Sequence, residues 1–369
     1  MQQKRIDYTT TQSRDGPKAK RPRREPQPVS FPFYPKDWTV VRTFHANVSL
    51  LRSRRNCARP QLIVKKILKI ESHSANDPKP FEMRVLALLP KCNRVVHALT
   101  CVASEDTNIG VALFEYYPLG DLEVWKEREF DRKNHKPVPE SFIWRFFLQI
   151  TQALAFIHNF IGPGREGRHP LLHRDIKPKN ILVVDIGTTY TSFKLHDFGC
   201  ASVWREEKQT QKSYCGTFDW QPPENPRINT TAAEIWALGA CVHFLATGQK
   251  PIADTKECRA ARLNRAKETP GTLEEYSSPS RYYAATAPRR VVPINLDADM
   301  QTHRGVANPE SYNHQYSDEL NDWMFQCLQF VPAHRPTVLG LLNGLSPVAQ
   351  GLLKRMGGTA AMADMAVTF

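Results

Sequence analysis

The chain has 369 residues and 50 Lys+Arg against 37 Asp+Glu, a formal charge of +13. Hydrophobic residues make up 41%, enough for a core of substantial size, so a chain disordered throughout is excluded. Its apolar runs are shorter than the roughly 20 residues that cross a bilayer.

In chain order, residues 1–35 read as a disordered basic arm. Eight basic residues stand against three acids before residue 31. The cluster Lys18-Ala-Lys-Arg-Pro-Arg-Arg24 fits either a nuclear localisation signal or a solvated tail. The segment MQQKRIDYTT has no apolar core, so no signal peptide is expected. Residues 38–41 and 62–64 are rich in β-branched and aromatic side chains and predict strands. Residues 81–89 predict a helix, as do residues 141–160, 231–247 and 318–330, each with apolar positions near helical spacing. Ser141 is the expected cap of the second of these. Residues 251–316 are polar and read as an insertion or loose loops. The stretch 256–267 within it is a basic helix candidate, for an acidic partner or for solvent. The end of the chain, rich in Gly, Ala and Met, reads as a flexible tail over 349–369. Strands come first and helices afterwards, which predicts an α+β fold with two lobes, 36–116 and 117–348. Eight cysteines lack any CxxC spacing and are expected to be reduced.

Chemistry concentrates in His173-Arg-Asp-Ile-Lys-Pro-Lys-Asn180 and His196-Asp-Phe-Gly199. Phosphoryl transfer needs these groups: an acid for the hydroxyl proton, a cation for the moving phosphoryl, and a carboxylate with an amide for Mg²⁺. Here the sequence resembles the eukaryotic protein kinase family, serine/threonine type, over about residues 38–345. The resemblance implies a bilobal fold, ATP and Mg²⁺ as cofactors, and a protein substrate with a Ser or Thr acceptor. Asp175 would be the catalytic base, Lys177 would steady the transferring phosphoryl, and Asn180 and Asp197 would hold Mg²⁺. Thr217 would hydrogen-bond near Asp175 and Lys177. Lys65 would reach the ATP phosphates, paired with Glu82. A shift by one residue would use Lys66 instead, with Val64 above adenine. Phe114 would be the gatekeeper, Glu115 and Tyr117 would meet adenine, Asp121 the ribose, and Leu182 the floor beneath adenine. Arg174 would answer a phosphate placed on Ser213 or Thr210 by an upstream kinase, Ser213 being equally readable as a plain loop hydroxyl. Arg335 would pair with Glu224.

Three departures stand out. Phe44-His-Ala-Asn-Val-Ser-Leu-Leu51 replaces the glycine-rich loop and contains no Gly. Ile63 stands where a small residue packs on adenine. Glu234 replaces the Asp that braces the catalytic loop. The first two departures keep open a second reading, a kinase-fold scaffold that binds ATP weakly. Cys200, beside the Asp-Phe-Gly, would sit near Mg²⁺ and reads either as a reactive thiol or, in the absence of a lowered pKa, as a buried inert one. A nucleic-acid-binding protein is the third reading, and it lacks the interleaved aromatic and basic stripes such a surface uses.

Overall fold

In the computed structural model of the chain, residues 31–55, 60–70, 79–103, 108–208, 215–224, 230–266, 276–306 and 314–369 are described. The arm before residue 31, with its basic cluster, lies outside them, as do Ser213 and Thr210.

β1 (Trp38–His45), β2 (Val48–Ser53) and β3 (Leu62–Lys69) form an antiparallel meander, followed by α1 (Phe81–Ala87), β4 (Ala98–Ala103) and β5 (Ile109–Glu115). The sheet order is β1-β2-β3-β5-β4. Only Ala46 and Asn47 separate β1 from β2, and β1 carries two irregularities, between Val40 and Arg42 and between Thr43 and His45. Such bulges twist a strand and re-aim its side chains. One face of this sheet buries a small cluster of Leu51, Ile63 and Leu113, with Phe31, Phe33 and Trp38 packed against it.

The second lobe is helical. α2 (Leu122–Lys126) leads to α3 (Glu140–Ile157), the centre of the main core. Then come β6 (Leu171–Leu172), the pair β7 (Ile181–Asp185) and β8 (Thr191–Leu195), and β9 (Ser202–Val203), which pairs with β6. α4 (Thr231–Thr247), α5 (Thr255–Ala266), α6 (Pro279–Thr286), α7 (Ala298–His303), α8 (Asp318–Cys327) and α9 (Val338–Met362) complete it. α4 is apolar on all sides and almost wholly buried, the pattern of a helix at the centre of a lobe.

Several elements differ from the sequence expectation. α3 begins at Glu140, not Ser141, behind Pro139; the Glu140 carboxylate accepts from Trp144 Nε1 (2.9 Å) and from the Ser317 amide (3.0 Å). α8 stops at Cys327, ahead of Phe330, and is capped by Ser317. The segment 251–316 is more than loose loops. Tyr283, Ile294, Leu296 and Tyr316 are buried, and the Tyr316 hydroxyl donates to the Val138 carbonyl at 2.9 Å.

The tail is the largest difference. α9 bends at Gly358 (φ 57°) and the chain then packs back onto α3. Arg94, with none of its side chain exposed, donates to Gln152 Oε1 (2.8 Å), Asp364 Oδ2 (2.8 Å) and the Ala366 carbonyl (3.0 Å). Phe369 stacks on Phe156 at 5.6 Å. The small residues that suggested fraying are what allow this close approach. A Cβ at Gly357 would meet the Tyr190 hydroxyl.

Candidate active site

A cavity of about 520 Å³ opens between the sheet and the helical lobe. Its roof comes from Arg42, Phe44, His45 and Val48 of the β1–β2 hairpin, together with Val64 of β3. Phe114, Glu115 and Tyr117 form the connecting edge, Asp121 stands at the start of α2, and Leu182 of β7 lies beneath. Phe114, Glu115, Tyr117, Asp121 and Leu182 were expected here, and Val64 was allowed by the alternative register.

The β3 cation that faces this cavity is Lys66. Its Nζ donates to Glu82 Oε2 at 2.7 Å and to Asp197 Oδ1 at 2.9 Å. Lys65 does not reach the site, which corrects the first assignment. Successive strand residues face opposite sides. Ile63 is fully buried with Leu51 and Leu113 on the far face, so Lys65, two residues on, follows it, and Val64 and Lys66 face the cavity. The bulky Ile63 therefore narrows nothing, because Val64 takes the place above the cavity.

The three charges are mutually dependent. Burial works against the Lys66 ammonium, yet the Glu82 and Asp197 carboxylates hold its pKa above the ordinary value. Burial pushes the Glu82 carboxyl up. Burial would do the same to Asp197, but the Lys66 ammonium outweighs it and holds that carboxyl low. Asp197 adopts a left-handed backbone (φ 64°), a conformation costly for any residue but Gly and kept where the surroundings impose it.

The loop before β7 carries the second group of residues. Lys177 Nζ donates to Asp175 Oδ2 (2.8 Å) and to Thr217 Oγ1 (2.7 Å). Asn180 Nδ2 donates to the Asp175 carbonyl (2.8 Å) and to Asp175 Oδ2 (2.9 Å). The other carboxylate oxygen, Asp175 Oδ1, is buried without a hydrogen-bond partner among the described residues. An anionic oxygen so placed is costly unless a donor arrives. Asp121 accepts from the Val124 amide at 2.9 Å, so it caps α2 as well as lining the cavity, and burial raises its pKa. Tyr117 donates to Glu115 Oε2 at 2.9 Å.

The backbone of the loop before β7 is braced from below. Glu234 Oε1 accepts from the Arg174 amide at 2.7 Å while Oε2 lies 2.6 Å from His158 Nε2. The added methylene of Glu is thus accommodated, and Arg174 is held at φ 64°. Sequence reasoning missed His158 in this role; the two residues are 76 positions apart and no local signal joins them. It also missed Arg42, which the irregularities in β1 turn onto the cavity. The Arg174 guanidinium donates to the Cys200 carbonyl at 2.6 Å. Arg335 grips Glu224 with two bonds, 2.7 and 2.9 Å.

The donor set can be tested against a magnesium ion. Among the described residues no cluster of three or more His, Cys, Asp or Glu could cage a metal. Mg²⁺ is ordinarily held by one or two protein oxygens plus water and phosphates. Asp197, with one oxygen on Lys66, and Asn180, with its amide nitrogen already engaged, fit that partial set.

The sequence matches the protein kinase domain across residues 47–344. The chain belongs to the protein kinase family. It is 32% identical to mitogen-activated protein kinase kinase 2 of Arabidopsis thaliana over 123 residues, 33% of this chain and 31% of that protein. It is 28% identical to mitogen-activated protein kinase kinase kinase ANP1 of the same plant over 284 residues, 75% of this chain and 33% of that protein. With mitogen-activated protein kinase kinase kinase 19 of Mus musculus it shares 29% over 180 residues, 47% of this chain and 12% of that protein. The chain thus spans about a third or less of the length of these relatives. Among the described residues no helix is long and apolar enough to cross a membrane.

Proposed function

We propose that the chain is an active serine/threonine protein kinase that transfers the γ-phosphoryl of ATP to a protein hydroxyl with Mg²⁺. The observation that carries this is the closed Lys66–Glu82–Asp197 cluster beside an Asp175 with one unpartnered oxygen. An ammonium has three N–H donors. Lys66 spends two on carboxylates, which leaves the third for a nucleotide phosphate. Lys177 spends two on Asp175 and Thr217, which leaves the third for the phosphoryl in transit. Asp175 Oδ1 accepts the proton of the incoming Ser or Thr hydroxyl. Mg²⁺, when bound at Asn180 and Asp197, neutralises phosphate charge.

The scaffold reading rested on Ile63 and on the missing glycines. Ile63 no longer supports it, since Val64 lines the cavity. In place of glycine amides the roof offers Arg42, whose guanidinium lies over the Phe44 ring at 4.9 Å. Among the described residues Arg42 has no carboxylate partner, so its charge is available to phosphate. The names of the three relatives above, each in a mitogen-activated cascade, favour a protein substrate and an upstream activating kinase.

The test is phosphate transfer to a generic basic protein with Mg²⁺-ATP, followed by phosphoamino-acid analysis. Wild type should label Ser or Thr, and Asp197→Asn and Asp175→Asn should not. Equal labelling by wild type and Asp197→Asn would overturn the proposal. A nucleotide-dependent thermal shift without transfer would instead favour the scaffold.

A further inference from the structure

Two cysteines flank the segment that follows Asp-Phe-Gly. Cys200 immediately follows Gly199, and Cys215 precedes Gly216 and Thr217. The fold brings them together. Cys215 Sγ lies 3.9 Å from the Cys200 carbonyl, and each thiol shifts the pKa of the other. Both are partly exposed, unlike Cys92, Cys241 and Cys327. The raised pKa of Cys200 agrees with the inert reading of that thiol alone; what the sequence did not join to it is Cys215, 15 positions away.

We propose that Cys200 and Cys215 form a peroxide-driven disulfide that locks this segment and lowers phosphoryl transfer. The Cys200 thiol beside Cys215, together with the Arg174 guanidinium, holds the Cys215 pKa below the ordinary thiol value, whereas burial and the partner push Cys200 up. Cys215 is thus the attacking sulfur and Cys200 the resolving one. In the first step the Cys215 thiolate attacks one oxygen of hydrogen peroxide. An S–O bond forms and the O–O bond breaks. The leaving hydroxide takes up a proton and departs as water, and the sulfur, oxidised by two electrons, becomes a sulfenic acid. In the second step Cys200 attacks that sulfur. The S–S bond forms, the S–O bond breaks, and the hydroxyl leaves with the Cys200 proton as water. Two thiols and one peroxide give one disulfide and two waters.

The effect on transfer follows from what the two residues touch. An S–S bond of about 2.05 Å fixes Cys215, whose sulfur now lies against the Cys200 carbonyl, onto the Cys200 sulfur. The Cys200 carbonyl accepts from Arg174, and the Cys215 carbonyl accepts from Gln221 Nε2 at 2.7 Å. Gly216, at φ 84°, packs so closely that a Cβ there would lie 2.3 Å from the Arg174 carbonyl oxygen. Movement at Cys215 therefore reaches Thr217 and its bond to Lys177. Formation of the disulfide does not depend on the proposed kinase activity; only the loss of transfer does.

The experiment treats the intact chain with hydrogen peroxide, blocks free thiols and maps peptides without reduction. A peptide pair joined through Cys200 and Cys215, two hydrogens lighter, is expected, with transfer at least fivefold lower and restored by dithiothreitol. In Cys200→Ser, dimedone should label Cys215; in Cys215→Ser, Cys200 should stay unlabelled and peroxide should leave transfer within twofold. Absence of the joined pair in wild type, which needs no variant, would overturn the disulfide. Labelling of Cys200 in Cys215→Ser would overturn the order of attack. A joined pair with unchanged transfer would overturn the regulatory half alone.

Discussion

Replacing Lys66 by Met separates the two registers of β3. The substitution keeps the length of the side chain and removes two charge-assisted hydrogen bonds, at 2.7 and 2.9 Å. Each such bond contributes about 1.5–3 kcal/mol. Glu82 would be left buried, and an unpaired buried charge costs about 3–5 kcal/mol. Burial already pushes the Glu82 carboxyl up, so it can escape most of that cost by taking a proton. The expected loss of stability is therefore about 2–4 kcal/mol. Activity should fall further, by about 10²–10³ in kcat, the usual result of removing one preorganised donor from developing charge. Lys65→Met removes a lysine on the opposite face and should stay within about 0.5 kcal/mol and twofold in rate. The assay is kcat/KM for ATP, with Asp197→Asn as the floor, alongside urea unfolding of each variant. Loss of activity in Lys65→Met with retention in Lys66→Met would refute the reasoning.

Arg42→Ala should raise the KM for ATP about tenfold while kcat changes little, and the difference from wild type should shrink at 0.5 M salt as surface charge is screened; an unchanged KM would remove Arg42 from the phosphate cover. His243 is fully buried, with Nδ1 on the Gln249 carbonyl (2.9 Å) and Nε2 accepting the Val292 amide (3.1 Å), and burial lowers its pKa to about 4. The folded chain thus binds fewer protons than the unfolded one below the ordinary histidine pKa of about 6.5, so stability falls as pH drops from there towards 4 and levels off below, by about 3 kcal/mol in all. Urea unfolding at pH 7.5 and 4.5 should show a smaller drop in His243→Gln; equal drops would refute this. Asp364→Ala leaves the buried Arg94 guanidinium short of its carboxylate and should cost about 3 kcal/mol, read as a lower Tm; a Tm unchanged within a degree would show that the tail is not part of the folded unit.

The catalytic loop was legible because Asp175, Lys177 and Asn180 lie within six residues, and local spacing placed them without knowledge of anything distant. The fold class followed from the order of strands and helices for a similar reason. The β3 lysine was not legible. Alternation says that residues 63 and 65 share a face, but which face turns inward is decided by Leu51, Leu113 and Trp38, which come from three other strands. Arg42 needed irregularities in β1 that no local pattern announces. The tail was misread because small residues carry no strong periodicity, and its anchor is a charge at Arg94 that looks solvated until Asp364 is placed. Cys200 and Cys215 look unrelated until the fold sets the Cys215 sulfur against the Cys200 carbonyl.

The Arg94–Asp364 contact also has a consequence for how the protein is made. Its partners lie 270 positions apart. At about 5–20 residues per second of synthesis, Arg94 waits roughly 15–50 s for its carboxylate to emerge. Until then burial of that guanidinium is unfavourable, and the face of α3 that receives the tail stays open. The site residues are all synthesised long before the groups that close the lobe beneath them, so a nascent chain carries its chemistry on an unfinished support and has an exposed apolar face to protect.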